Sequence, residues 1–280
     1  MRELIKIVVD STADLPPELA EKWDITVVPC LVHFGHETYR EGVDLSHAEF
    51  YRRLKDDPQL PTTSAPGPGV FAETFQKLAL EADQIISLHL SSKLSAVYNS
   101  VRLGAKGIKG VEIAVIDSDT LSMGLGWLAV KAAQLVRAGH SWQEIVETLK
   151  KTRLRVRVFA LLDTLEYLRR SGRVSRAVAV LGAMLNVKPM ISVMEGQVLP
   201  AGRIRSRRKA VNHLISLIEE LGPLDELAVL HTRAPREAEA LADRLAANFP
   251  RQRMVIAEVG TIIGTHLGPN GLGAACLMAE

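Results

Sequence analysis

The sequence predicts an α/β protein, with an N-terminal three-layer α/β/α domain on a mainly parallel sheet and a smaller C-terminal mixed α+β domain. Three observations carry this prediction. Near-continuous apolar runs alternate with helix-period segments through the first half, as strands covered on both faces require. A length of 280 residues favours two domains. In the second half, two strand-like runs flank Glu195-Gly196 as a hairpin, and a hairpin among helices marks a mixed sheet. The division is placed after residue 157, giving domains 1–157 and 158–280.

Taken in order, strands are expected at Ile5–Ser11, Ile25–Phe34, Gln84–Leu90 and Val111–Asp117. Ser46 with Glu49 forms a capping box opening a helix over Ser46–Lys55, and Ser141 with Glu144 opens another. A long helix over Ser122–Ala138 ends at Gly139, a residue type that tolerates the left-handed C′ position. Asp56–Gly69 holds Pro58, Pro61, Pro66 and Pro68 and is expected to be irregular. The second half reads as strand Val156–Asp163, helices Thr164–Ser171 and Ser175–Leu185, and the hairpin Val187–Val193 with Gln197–Ile204. Helix Ser206–Leu221 places Val211, Leu214, Ile215 and Ile218 on one face. Strand Glu226–Thr232, helix Pro235–Phe249, strand Met254–Val259, a glycine-rich turn at 264–273 and a strand Ala274–Ala279 complete the chain.

Composition narrows the function. Apolar residues make up 47% and aromatics only 5%, so aliphatic packing dominates and stacking on nucleobases has little to work with. With 34 basic and 32 acidic residues the net charge is +2, no footprint for nucleic acid or an anionic membrane. Cys30 and Cys276 lack C-x-x-C spacing and sit in apolar surroundings, as buried thiols in a reducing compartment do. The N-terminus runs straight into a strand pattern, and charge breaks every long apolar stretch. A cytoplasmic protein without stable membrane insertion is expected.

Hydroxyl groups gather where strands are expected to end, in DSTAD at 10–14, PTTSAP at 61–66, SSKLS at 91–95 and DSDTLS at 117–122. Strand C-termini form the ligand-binding edge of an open α/β sheet. No G-x-S-x-G elbow, phosphate loop or H-E-x-x-H accompanies them, so no catalytic residue, metal or cofactor is assigned. GLGWLA at 124–129 matches a dinucleotide fingerprint but lies inside a helical pattern. Ser206-Arg207-Arg208-Lys209 reads as a helix cap with a basic first turn, and His33 with His36 finds no third metal ligand. In PTTSAP, Thr62, Thr63 and Ser64 either cap their own loop or face a ligand. Ser91, Ser92 and Ser95 exceed the one serine that a helix N-cap needs. His266 stands in the glycine-rich stretch, either structural or in contact with a ligand. Asp10, Ser11 and the 117–122 cluster are assigned to strand ends and caps. The basic runs 169–176 and 203–209 are solvated helix ends or a docking face for an acidic partner or phosphate.

The ordered set DSTADLP (10–16), PTTSAP, SSKLSAVYNS (91–100), IDSDTLSMGLG (116–126), RSGRVS (171–176) after TLEYL, KP (188–189), IRSRRKA (204–210) and GTHLGPNGLG (264–273) resembles the DegV family of bacterial fatty-acid-binding proteins. The resemblance spans nearly the whole chain. It implies a long acyl chain as bound ligand, buried between or beside the two domains, and no catalysis by this chain itself. By motif position it implies that Thr63 and Ser95 hold the fatty-acid carboxylate with His266 nearby, and Thr62, Ser64 and Ser92 belong to the same motifs. It further implies a partner, a fatty acid kinase that phosphorylates the carboxylate, with Arg173 and Arg205 at the acyl-phosphate or partner surface. Ala65 stands where the family commonly has glutamine, and Ala96 and Val97 replace its usual glycine and threonine. A different class, a hydrolase or transferase with a serine nucleophile and His266 as base, is the alternative.

Overall fold

Alternation along β1 (Ile5–Asp10) sets the first sheet, with Ile7 and Val9 entering one core and Val8 the other. The computed structural model, which describes residues 4–57, 59–172 and 187–280, pairs β1 in parallel with β2 (Ile25–Val28) and β6 (Gln84–His89). β7 (Glu112–Asp117) extends the ladder to the order β2-β1-β6-β7. On one face lie α3 (Pro68–Leu78) and α4 (Val97–Ala105), which contribute Phe71, Phe75, Val97 and Val101. On the other lie α5 (Met123–Ala138) and α6 (Trp142–Thr152), with the expected capping box closed between Ser141 and Glu144. This is the three-layer arrangement that the apolar strands predict.

The second sheet has the order β10-β9-β8-β13-β11-β12, built from β8 (Val156–Leu161), β9 (Lys188–Met194), β10 (Gln197–Ile204), β11 (Leu224–His231), β12 (Val255–Glu258) and β13 (Leu272–Met278). Only β11 and β12 pair in parallel, so the sheet is mixed. Its hairpin turns at Glu195 (φ 50) and Gly196 (φ 72), the left-handed pair that matches strand twist. The hairpin tip docks on loops at the carboxyl edge of the first sheet, where Gly196 N–H donates to the Asp119 carbonyl (2.6 Å) and Lys93 Nζ to that of Glu195 (2.6 Å). α8 (Arg207–Glu219) and α9 (Pro235–Leu245) cover the outer face. Val211 is only partly buried, and Ala210 joins Leu214, Ile215 and Ile218 in the core.

Helix α5 fills the space between the two sheets and is buried along most of its length. Leu125 and Leu128 are fully enclosed, each worth about 2–3 kcal/mol of transfer free energy. Gly124 permits the close approach: a Cβ there would lie 2.8 Å from Val158 Cγ2. Trp127 Nε1 donates to the Ala275 carbonyl on β13 at 3.0 Å, tying the helix to the second sheet. The GLGWLA stretch is therefore a packing seam.

Three expectations are corrected. Ile25–Phe34 is not one strand: Pro29 cannot donate to the ladder, and after it the chain leaves the parallel sheet as β3 (Leu31–Phe34). β3 pairs with β4 (Glu37–Arg40) and β5 (Thr62–Ser64) in a small antiparallel sheet, so the proline-rich segment does contain regular structure. Prolines flank β5 but spare its three amides. Finally, the glycine-rich stretch at 264–273 opens as the end of a helix, α10 (Thr261–Leu267), rather than as a turn. Gly264 sits inside α10 because a Cβ would meet Tyr51 Oη of α2 (His47–Asp56) at 2.5 Å. The expected helix Ser175–Leu185 lies outside the described residues.

Candidate functional site

A cavity opens where the carboxyl edge of the first sheet meets the inner face of the second, between β5, the β6–α4 loop, the start of α5 and α10. Its atom-free volume is about 980 Å³, open mouth included. The walls are aliphatic. Val158 of β8, Ile191 and Val193 of β9, and Val198 of β10 form one side, and Ile262 and Ile263 of α10 another. All six are nearly fully enclosed.

The polar side chains of the lining are the half-buried Thr63, Ser95 and His266 and the buried Ser122, His231 and Thr232. β5 presents Thr63, held by its pairing opposite Val32. α10 presents His266, and Thr63 Oγ1 lies 3.3 Å from His266 Nε2. Ser95 sits just before α4, where its Oγ accepts from Val97 N at 3.3 Å. Two hydroxyls and an imidazole thus line one apolar cavity. Each can offer a hydrogen to an anionic oxygen, and a carboxylate leaving water needs such donors.

The other sequence candidates lie elsewhere. Thr62 and Ser64 flank Thr63 on the exposed side of β5, and Ser64 Oγ is 2.8 Å from His33 Nε2. His33 Nδ1 also bonds Thr38 Oγ1 at 2.9 Å, so this histidine braces the small sheet. Ser92 is exposed, its amide donating to the Asp117 carboxylate. Arg205 is exposed between β10 and α8, and Arg173 lies outside the described residues. No group of His, Cys, Asp and Glu among the described residues could hold a metal ion.

A Ser-His-Asp chain does exist, away from the cavity. Ser87 Oγ lies 2.6 Å from His89 Nε2, and His89 Nδ1 lies 2.9 Å from Asp10 Oδ2. All three residues have 0% exposure, and the Phe71 ring packs edge-on against His89. Burial alone would push the Asp10 carboxyl up; His89, Thr12 and the Leu90 amide outweigh it and hold it below the usual range. With no path to Ser87, this chain joins β1 to β6 as a structural network.

Sequence reading missed two parts of the site. The apolar walls looked like ordinary core strands, because alternation marks a buried face without showing whether that face meets atoms or space. Ser122 was assigned to a cap, yet its side chain makes no cap hydrogen bond. It lines the cavity at φ 53, a strained value for a residue with a Cβ, and its Oγ lies 2.5 Å from Asp14 Oδ2.

Fold and site together define an α/β protein whose two larger sheets enclose an aliphatic cavity with hydroxyl and imidazole groups in its wall. The chain belongs to the DegV family: the family model described as "Uncharacterised protein, DegV family" matches residues 4–278. A DegV domain-containing protein of Halalkalibacterium halodurans is 37% identical over 273 residues, covering 96% of each chain. Among solved structures, a DegV family protein from Thermus thermophilus, described as fatty acid binding, superposes with a TM-score of 0.91 at 31% identity, covering 99% of this chain and 100% of that one. DegV from Bacillus subtilis, described as a fatty acid binding protein, superposes with a TM-score of 0.90 at 33% identity, covering 98% and 99%.

Proposed function

We propose that this protein binds a long-chain fatty acid in the cavity, with the carboxylate at Thr63, Ser95 and His266 and the acyl chain along the aliphatic walls. The carrying observation is that a largely aliphatic lining places Thr63 and His266 3.3 Å apart. The two similar solved proteins described as fatty acid binding support the ligand class. Energetics agree: burying a chain of about 16 carbons at roughly 0.8 kcal/mol per methylene offers on the order of 12 kcal/mol. Association entropy and chain ordering remove several kcal/mol of that, leaving tight, reversible binding. In the proposed role the protein is a carrier that presents the carboxylate to a fatty acid kinase, with exposed Arg205 on the partner-facing side.

The test is mass spectrometry of denatured, purified protein. A long-chain fatty acid is expected at close to one per chain. Consistent absence of lipid, with no uptake on titration, would refute the reading. Turnover of an acyl ester or acyl phosphate that vanishes in His266→Ala would instead favour the hydrolase or transferase class.

A further inference from the structure

Helix α10 carries His266 and the wall residues Ile262 and Ile263, and its first turn is held by two buried carboxylates from the first half of the chain. Glu41 follows β4. Its Oε1 accepts from Ile262 N (2.9 Å) and Thr261 Oγ1 (3.0 Å), and its Oε2 accepts from Ser11 Oγ (2.5 Å). Asp14 follows β1. Its Oδ1 accepts from Gly260 N (2.9 Å), and its Oδ2 meets Ser122 Oγ. Both side chains converge on Gly260, where a Cβ would lie 2.3 Å from Glu41 Oε1 and 3.1 Å from Asp14 Oδ1. Among the described residues neither bonds an arginine or lysine; the nearby titratable groups are His47 and Tyr51 of α2, Glu258 of β12 and, beside Glu41, Cys30. His47 Nδ1 is 3.6 Å from Glu258 Oε2, and Arg233 bonds the other oxygen of Glu258; a charge on His47 also favours ionised Asp14 and Glu41. Asp10 lies on the far side of Cys30.

We propose that Asp14 and Glu41 are positioning residues for the acyl site: one proton shared by the pair keeps α10 seated, so fatty acid is held more tightly below neutral pH than above it. This inference rests on the fatty-acid reading. Glu41 is the partner suited to carry the charge, since a helix amide and two hydroxyls converge on it. Asp14 is suited to carry the proton, since only the Gly260 amide and the Ser122 hydroxyl donate to it, against three donors at Glu41. Burial raises both carboxyls, and burial with the Glu41 charge carries Asp14 to about 7, consistent with this assignment. Loss of the proton leaves two anions facing Gly260, and separating them moves the first turn of α10. Ile262, Ile263 and His266 move with it. Ser122 carries the same event directly to the cavity, which it lines.

The test measures the Kd for cis-parinaric acid between pH 6 and pH 8 in wild type and Asp14→Asn. Binding is expected to weaken at least threefold across that range in wild type and to stay flat in the variant, whose amide keeps the Gly260 bond without a titrating proton. Binding that is flat in wild type, or that falls equally in Asp14→Asn, overturns the inference and leaves the fatty-acid reading standing. Absence of binding at every pH overturns both. Should Asp14→Asn fail to fold, carbon-13 NMR of aspartate carboxyls in wild type replaces it. By linkage, saturating oleate must raise the pKa of a carboxyl titrating near neutrality. An unmoved pKa, or no such carboxyl, overturns the inference.

Discussion

At the cavity, two hydroxyls and an imidazole are, on the proposed reading, the groups that stand in for the water a carboxylate would lose. On the proposed reading, Thr63→Ala combined with Ser95→Ala weakens fatty-acid binding at least tenfold, about 1.4 kcal/mol, in a fluorescence titration. Unchanged affinity would remove these residues from the head-group site. Gly260 makes a separate prediction. A Cβ there would press on Glu41 Oε1 at 2.3 Å, against a carboxylate fixed by three hydrogen bonds, so Gly260→Ala costs about 1–3 kcal/mol in urea unfolding. The roles of Thr63 and Asp14 differed in legibility. Thr63 belongs to a run of hydroxyls between prolines, which drew notice as a group. Asp14 follows Asp10 in one short motif, and no spacing rule separates the aspartate that bonds His89 from the one that reaches a helix near residue 260.

Elements whose burial is decided locally were legible. Helix α5 runs over Met123–Ala138 and stops at Gly139 (φ 87), one residue from the expected span. The Ser46 and Ser141 caps and the Glu195-Gly196 turn likewise follow from chemistry within a few residues. β5 and α10 were not legible, because each exists through a distant partner. β5 needs β3, and α10 needs Tyr51, whose hydroxyl donates to the Val259 carbonyl, together with Glu41. α5 also supplies a test of how the sheets are joined. Trp127→Phe keeps most of the ring volume but leaves the Ala275 carbonyl without its indole donor. The expected loss is about 1–3 kcal/mol, read as a lower urea midpoint at unchanged slope. A neutral result would mean that packing alone seats α5.

Across the whole molecule, one aliphatic core runs from the first sheet through α5 to the second, so the cavity is a gap within a continuous core. Global stability should report the buried pair behind α10. Asp14 titrates near 4 when unfolded and at about 7 when folded. The folded state therefore keeps a proton that the unfolded state has lost, and this contribution falls as pH rises from about 4 to about 7. Comparing urea unfolding of wild type and Asp14→Asn at several pH values isolates it: the wild type should lose stability relative to the variant over that window and run parallel above it. A constant difference would show that Asp14 ionises normally. The sequence by itself determined the alternation of strands and helices, the capped helices, the hairpin and the hydroxyl runs at strand ends, because period, capping and turn chemistry act over a few residues. Tertiary structure alone decided that Thr63, Ser95 and His266 line one cavity, that the Ser87–His89–Asp10 chain is sealed from it, and that Asp14 and Glu41 meet at Gly260. Those are distances between atoms far apart in the chain, and they are set by how α5 and two sheets pack.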